Sequence, residues 1–249
     1  MTSSRKIYRL TGPDARSFLQ GLVTNDVEKV DQGLVYTALL TPQGKFLADF
    51  FLSADTDGGV LLDIDATSAE ATLKRLTMYR LRADVTIEES PLKVARGTGD
   101  MPEGAFKDPR HPALGWRFYG DTDQSDCTDW TALRVAHCIP ETGIELTPDT
   151  FILEAGFEAL NGVDFRKGCY VGQEVTARMK HKTELRKGLK TVEITGQAPI
   201  GSDIRAGEKT AGTLYSQSGS KAIAYLRFDR ARGVLTAETA ELRWNTNSD

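Results

Sequence analysis

No apolar run in this chain approaches the roughly 18 residues that a membrane-spanning helix needs, so its hydrophobic residues are available for a core. Cysteine is scarce. Cys127, Cys138 and Cys169 make an odd number with no C-x-x-C pair, which excludes a disulfide framework and a self-contained zinc or cluster site of the usual spacing. Histidine is as rare, and His111, His137 and His181 show no metal-type spacing to one another or to a carboxylate pair, so surface or packing roles are expected and no metal. Basic charge is in deficit, with 31 Lys and Arg against 35 Asp and Glu and a formal charge of −4, which argues against a direct nucleic-acid binder. No signal-peptide core follows Met1-Thr2-Ser3-Ser4-Arg5-Lys6. These absences lead to the expectation of a soluble, cytoplasmic chain with no membrane contact, and a self-contained acidic core is compatible with a monomer.

Its 249 residues, 40% hydrophobic and 27% charged, are enough for two or three modules. A strand is expected at Ile7-Tyr8-Arg9-Leu10, followed by a helix opened by Thr11-Gly12-Pro13-Asp14, with Phe18, Leu19 and Leu22 on one face and Asn25 and Asp26 closing it. Leu34 to Asp65 reads as three strands joined by turns at Pro42-Gln43-Gly44 and Asp55-Thr56-Asp57-Gly58-Gly59. A helix from Ser68 to Tyr79 follows, with Leu73, Leu76 and Met78 or Tyr79 inward, and then a strand from Ala83 to Glu88. The order repeats more loosely between Leu92 and Ile139, with Met101 to Pro112 as a surface loop.

After Arg186-Lys187-Gly188 the pattern changes to short alternating segments, Lys190 to Ile194, Ala211 to Tyr215 and Ala222 to Leu226, separated by glycine turns. That is the pattern of a small β-barrel. The expected fold class is α+β, with residues 1–187 forming two sheet-and-helix modules (about 1–90 and 91–187) and 188–249 a C-terminal barrel.

Chemistry concentrates in Lys167-Gly168-Cys169-Tyr170-Val171-Gly172-Gln173-Glu174. Glycines on both sides of the thiol allow a positive φ or close approach to a ligand. Lys167 is placed to lower the thiol pKa if the turn folds its ammonium back, and the thiolate is the reactive form. An ordinary cysteine is more often a small buried hydrophobe. Here the polar neighbours Lys167, Gln173, Glu174 and Arg178 favour a reactive Cys169.

This octapeptide resembles the signature of the YgfZ-type folate-binding proteins, relatives of the glycine-cleavage T-protein (aminomethyltransferase). The blocks Phe18 to Val27, Thr41 to Asp49 and Tyr79-Arg80-Leu81-Arg82 carry the likeness along the chain, and Asp108-Pro109-Arg110 with Leu114-Gly115-Trp116-Arg117 resembles the mitochondrial and alphaproteobacterial iron-sulfur assembly branch. The resemblance implies a T-protein-like fold, two interlocked sheet-and-helix modules and a small barrel around a central channel that binds tetrahydrofolate or a derivative. It also implies iron-sulfur assembly or client proteins as partners. Trp130, at the start of a helical segment, stands where relatives contact the pterin, although a packed core Trp fits equally. Asn25 and Asp26 are folate candidates by resemblance and ordinary capping residues by chemistry. Arg110, Arg117 and Arg178 are unranked candidates for a folate glutamate tail.

The basic stretch Arg178 to Lys187 reads better as a solvated linker than as an RNA site, so any dependence of tRNA modification on this chain would be indirect. The expected function is a folate-dependent accessory factor for iron-sulfur cluster assembly or repair that uses Cys169, without classical transferase turnover. Two alternatives stay open: a folate-dependent aminomethyltransferase, and a non-enzymatic scaffold with a structural cysteine.

Overall fold

The computed structural model describes residues 4–55, 58–182 and 184–245. Met1 to Ser3 and the centre of the expected turn, Thr56-Asp57, lie outside them, as does Thr183 of the basic stretch. The chain divides into two compact units, residues 1–128 with 157–177, and residues 129–156 with 178–249. The expected break near 187 therefore differs from this division, because 129–156 goes with the barrel.

In the first unit, β1 (Arg5–Thr11), β2 (Val35–Leu40), β3 (Phe46–Ala54), β4 (Val60–Asp65) and β5 (Thr86–Ser90) form an antiparallel sheet in the order β2-β3-β4-β1-β5. Strands β2 and β4 are buried at every position, which places both faces of the sheet indoors. Because successive side chains alternate, the two faces differ in chemistry. Val35, Leu39, Ala48, Phe50, Leu52, Leu62 and Ile64 join one apolar core with Leu19 of helix α1 (Ala15–Gln20) and Ala69 and Leu76 of helix α2 (Ala66–Arg80). The opposite parity carries Arg5, Tyr36, Asp49, Phe51 and Asp63, an ionic face. Over it lies a second antiparallel sheet, β6 (Lys93–Gly97), β8 (Trp116–Gly120) and β7 (Phe106–Lys107), and Arg117 and Tyr119 of β8 bond to Asp63.

Several expectations change here. Helix α1 ends at Gln20, and Asn25 and Asp26 do not close it; Asp26 instead caps a separate 3-10 helix, Val27–Asp31, by accepting the Glu28 N–H. Of the alternatives Met78 or Tyr79, it is Tyr79 that packs against the core beside Leu73 and Leu76, while Met78 points outward and is 70% exposed. The 101–112 segment is not wholly surface loop, because it contains β7 and the buried Asp108.

In the second unit, β9 (Lys187–Thr195), β10 (Asp203–Ala206), β11 (Lys209–Ser218), β12 (Lys221–Arg227), β13 (Val234–Ala237) and β14 (Ala240–Arg243) close into a barrel in the order β10-β11-β12-β9-β14-β13. Closure through the β10–β13 pair removes free edges. Val192, Ile194, Leu214, Ala224, Leu226, Leu235 and Leu242 fill its interior. Helix α3 (Trp130–Ala136) belongs to this unit, and the Val135 carbonyl accepts the Thr191 hydroxyl of β9 at 2.8 Å. Helix α4 (Gln173–Lys182) runs across the division between the units.

Candidate functional site

The octapeptide is a clamped turn with its thiol outside. Lys167 is only 9% exposed and Tyr170 8%, whereas Gly168 and Cys169 between them are exposed. The Lys167 ammonium donates to the carbonyl oxygens of Gln20 at 2.7 Å and Val23 at 2.5 Å, and its nitrogen lies 5.1 Å from the Tyr170 ring centroid. Burial pulls this lysine down to about 8, with partial opposition from the Asp26 and Asp164 carboxylates. Burial likewise pushes the Tyr170 phenol up to about 12, a hydrogen bond with Thr176 pulling the other way.

The far side of the turn is fixed sterically. Gly172 has φ +85°, and a Cβ there would stand 2.6 Å from the Thr41 carbonyl oxygen. Its neighbour across the contact, Gly44 in the β2–β3 turn, has φ +75° and would meet Val175 of α4 at 2.8 Å. Two glycines far apart in sequence thus let the hairpin turn and the start of α4 lie against each other. Gly168 is different: its φ is not positive, and a Cβ would find nothing within 4 Å. Gln173 donates its N–H to the Tyr170 carbonyl as α4 begins, and Glu174 sits exposed in the first turn of that helix, where a carboxylate suits the dipole. Arg178 is exposed further along α4.

The folate candidates fare unequally. The amide of Asn25 donates to the carbonyls of Tyr36 at 2.8 Å and Asn161 at 2.7 Å, and its oxygen accepts the Asp26 N–H at 2.8 Å. Asp26 accepts from Glu28 N and from the Gln20 amide. Both are occupied with holding the chain, although Asn25 also lines a cavity of about 310 Å³ with Lys29, Tyr36, Pro109, Asn161 and Val163. Trp130, half-buried in the other unit, opens α3 behind the Asp129 cap. That helix is anchored by Arg134, whose guanidinium reaches the Ile139 carbonyl, Glu141, Glu145 and Ser216 at 2.9–3.3 Å.

Arg110 and Arg117 are corrected as rim cations. Arg117 is 3% exposed and bridges Asp63 at 2.9 Å and Asp108 at 3.3 Å, while Arg110 grips Asp108 with two nitrogens at 3.0 and 2.7 Å. Arg5 completes the cluster on Asp63 at 2.6 Å, and the guanidiniums of Arg117, Arg110 and Arg5 lie 4.0, 4.8 and 5.6 Å from the Phe51 ring centroid. Burial, and then the Asp49 carboxylate that accepts its hydroxyl at 2.9 Å, push the Tyr36 phenol well above its ordinary value. Sequence reading missed this cluster as a unit. Its available signal was Asp49 and Asp63, carboxylates inside otherwise mostly apolar strands, since acids are almost never buried unless paired.

Among the described residues, no group of three or more His, Cys, Asp or Glu side chains could hold a metal ion. None of Cys127, Cys138 and Cys169 is in a disulfide.

With that geometry in view, comparison with known proteins is decisive on the family. Over 95% of this chain and 79% of the relative, the sequence is 31% identical to the mouse (Mus musculus) mitochondrial iron-sulfur cluster assembly factor IBA57. The chain belongs to the IBA57 family. The human (Homo sapiens) IBA57 is 30% identical over 95% of this chain and 79% of its own length. Residues 186–248 match the family model described as the C-terminal beta-barrel domain of CAF17, in agreement with the β9–β14 barrel. The fold is that of the glycine cleavage system aminomethyltransferase T from Bartonella henselae, with a TM-score of 0.78 over 98% of this chain and 84% of that one at 14% identity. The IBA57 relatives are named as mitochondrial proteins, which overturns the cytoplasmic location expected from the sequence.

Proposed function

We propose that this chain supports iron-sulfur cluster assembly with Cys169 as its working thiol, as a YgfZ-type member of the superfamily that binds tetrahydrofolate or a derivative. The observation that carries the reading is the presentation of Cys169: an exposed thiol held between buried Lys167 and Tyr170 in a chain whose relatives are named iron-sulfur assembly factors. A structural cysteine would be buried among apolar neighbours.

Cys169 would act as a single sulfur ligand toward a cluster carried by a partner protein; the cluster is cargo. Lys167 acts as a positioning residue, because its ammonium is bound to the Gln20 and Val23 carbonyls. Gly168 leaves open space beside the thiol, room for a partner's backbone or cluster to approach. For folate, Trp130 is the proposed stacking surface, a half-buried indole on a helix fixed by Arg134. In the first unit, taken by itself, Asn25 and Asp26 are proposed by resemblance alone, and Asn25 lines the cavity it shares with Tyr36 and Asn161.

The test is cluster delivery to an apo client followed by visible absorbance, wild type beside Cys169→Ser and Lys167→Met. Loss of delivery in Cys169→Ser with unchanged thermal stability supports the thiol role; full delivery by Cys169→Ser returns the scaffold reading. Calorimetric titration with tetrahydrofolate, wild type beside Trp130→Ala, tests the ligand separately. Micromolar binding weakened by the substitution supports it, and no binding by the wild type removes folate from the function.

A further inference from the structure

The C-terminal end of α2 exposes apolar and cationic side chains together. Met78 is 70% and Leu81 89% exposed, the two highest values among the large apolar residues described. Neither packs on the core, whose rim at this end is formed by Leu73, Tyr79 and Ala83. The segment Lys74-Arg75-Leu76-Thr77-Met78-Tyr79-Arg80-Leu81-Arg82 holds four cations and no acid in a chain whose formal charge is −4. Most arginines elsewhere in the first unit are paired with carboxylates, as Arg5, Arg9, Arg16, Arg110 and Arg117 are. Lys74, Arg75, Arg80 and Arg82 have no ion-pair partner among the described residues, and Arg80 makes only a bond to the Val85 carbonyl.

The backbone adds an independent sign. Leu81 follows the last helical residue with φ +40° and ψ −94°, a positive-φ conformation that residues with a side chain rarely adopt. A bulky apolar residue there is strained and gains no burial. Strained backbone positions cluster at binding and functional sites.

We propose that the end of α2 is a docking surface for an acidic protein. Met78 and Leu81 enter an apolar depression on the partner, and Lys74, Arg75, Arg80 and Arg82 face carboxylates around it. Charge complementarity selects this occupant: the rest of the acidic chain repels such a partner, and this end attracts and orients it. An anionic bilayer fits less well, because the inward face of α2 is already in the core and two apolar side chains give little insertion. A second copy docked symmetrically would bring the four cations onto their own counterparts.

This surface is separate from the Cys169 turn, and its test does not read the thiol. A benzophenone amino acid is placed at position 81 of the full chain, with the same group at the exposed Val234 as the control for random encounter, and cells are photolysed. The protein captured at 81 is identified, purified and titrated with the chain by calorimetry. The expected result is one acidic protein captured at 81 and not at 234, whose affinity falls about tenfold or more with Leu81→Gly and with the pair Lys74→Glu and Arg82→Glu, and falls as salt rises. Leu81→Gly relieves the strained φ, so it should keep or raise the melting temperature, separating lost docking from lost folding. The proposal is overturned by capture at 81 no greater than at 234, by capture of a second copy, by a captured protein that binds without dependence on salt or Leu81, or by co-sedimentation with phosphatidylcholine–phosphatidylserine vesicles that Leu81→Gly abolishes.

Discussion

The ammonium of Lys167 donates to the carbonyl oxygen of Val23 at 2.5 Å. That bond, across a sequence separation of 144 residues, ties the cysteine turn to the chain leaving α1, where helix-end carbonyls lack intrahelical partners. The thiol's place is therefore set by a contact that no local reading of the octapeptide contains.

Replacing Lys167 by Met should leave those carbonyls without their donor and destabilise the protein by about 1–3 kcal/mol. The effect depends on pH. Burial lowers this lysine from 10.5 to about 8, so between those values the unfolded chain keeps a proton that the folded chain has released, and the lysine's contribution to stability rises with pH. Urea unfolding of wild type and Lys167→Met across that window should show the wild-type advantage growing.

Asp108 should govern part of the acid response. Burial alone would raise its carboxyl, but Arg110 and Arg117 outweigh that and hold it at about 2. Its stabilisation is complete above the ordinary value of 3.8 and is lost as pH falls through about 2. Asp108→Asn should cost about 3–5 kcal/mol at neutral pH by leaving two buried guanidiniums undercompensated, and its stability should change less than wild type's over that acid window. Circular dichroism during acid titration checks both.

The two glycines nearest the thiol should behave oppositely. Gly172→Ala forces a Cβ against the Thr41 oxygen at positive φ and should lower stability by roughly 2 kcal/mol or more. Gly168→Ala meets nothing and should be neutral or stabilising by up to about 1 kcal/mol. If Gly168→Ala nonetheless slows cluster delivery, a partner needs the space; differential scanning calorimetry beside the delivery assay separates the two effects.

In the barrel unit, Arg134→Met should leave Glu145, 3% exposed, without its cation and cost about 3 kcal/mol or more. Because Arg134 fixes α3, the same change should weaken any ligand that stacks on Trp130, measured by titration at a temperature where the variant is folded.

Much of this fold was legible as pattern. The turns Pro42-Gln43-Gly44 and Asp55 to Gly59 marked off β2, β3 and β4, although β2 and β4 are buried on both faces, and the alternating, glycine-punctuated segments beyond Gly188 located β9, β11 and β12, because turn residues and one buried face each leave a local imprint. Positions set by partners distant in sequence were not legible. Asn25-Asp26 reads as a helix stop, yet Asn25 is bonded to Asn161 and Asp26 caps a different helix. Helical spacing left Met78 and Tyr79 as alternatives for the core, and only the folded chain decided for Tyr79.

The sequence by itself determined most element types and the family likeness, since these rest on local periodicity, turn residues and contiguous motifs. Only the tertiary structure decided which carbonyls Lys167 bonds, that Arg110 and Arg117 are paired with Asp108 and Asp63, and that Leu81 stands exposed at a strained helix end. The physical reason is the range of the interactions involved. Turn chemistry and side-chain alternation act within a few residues, whereas a buried charge must find its counterion wherever the folded chain brings one within about 3 Å.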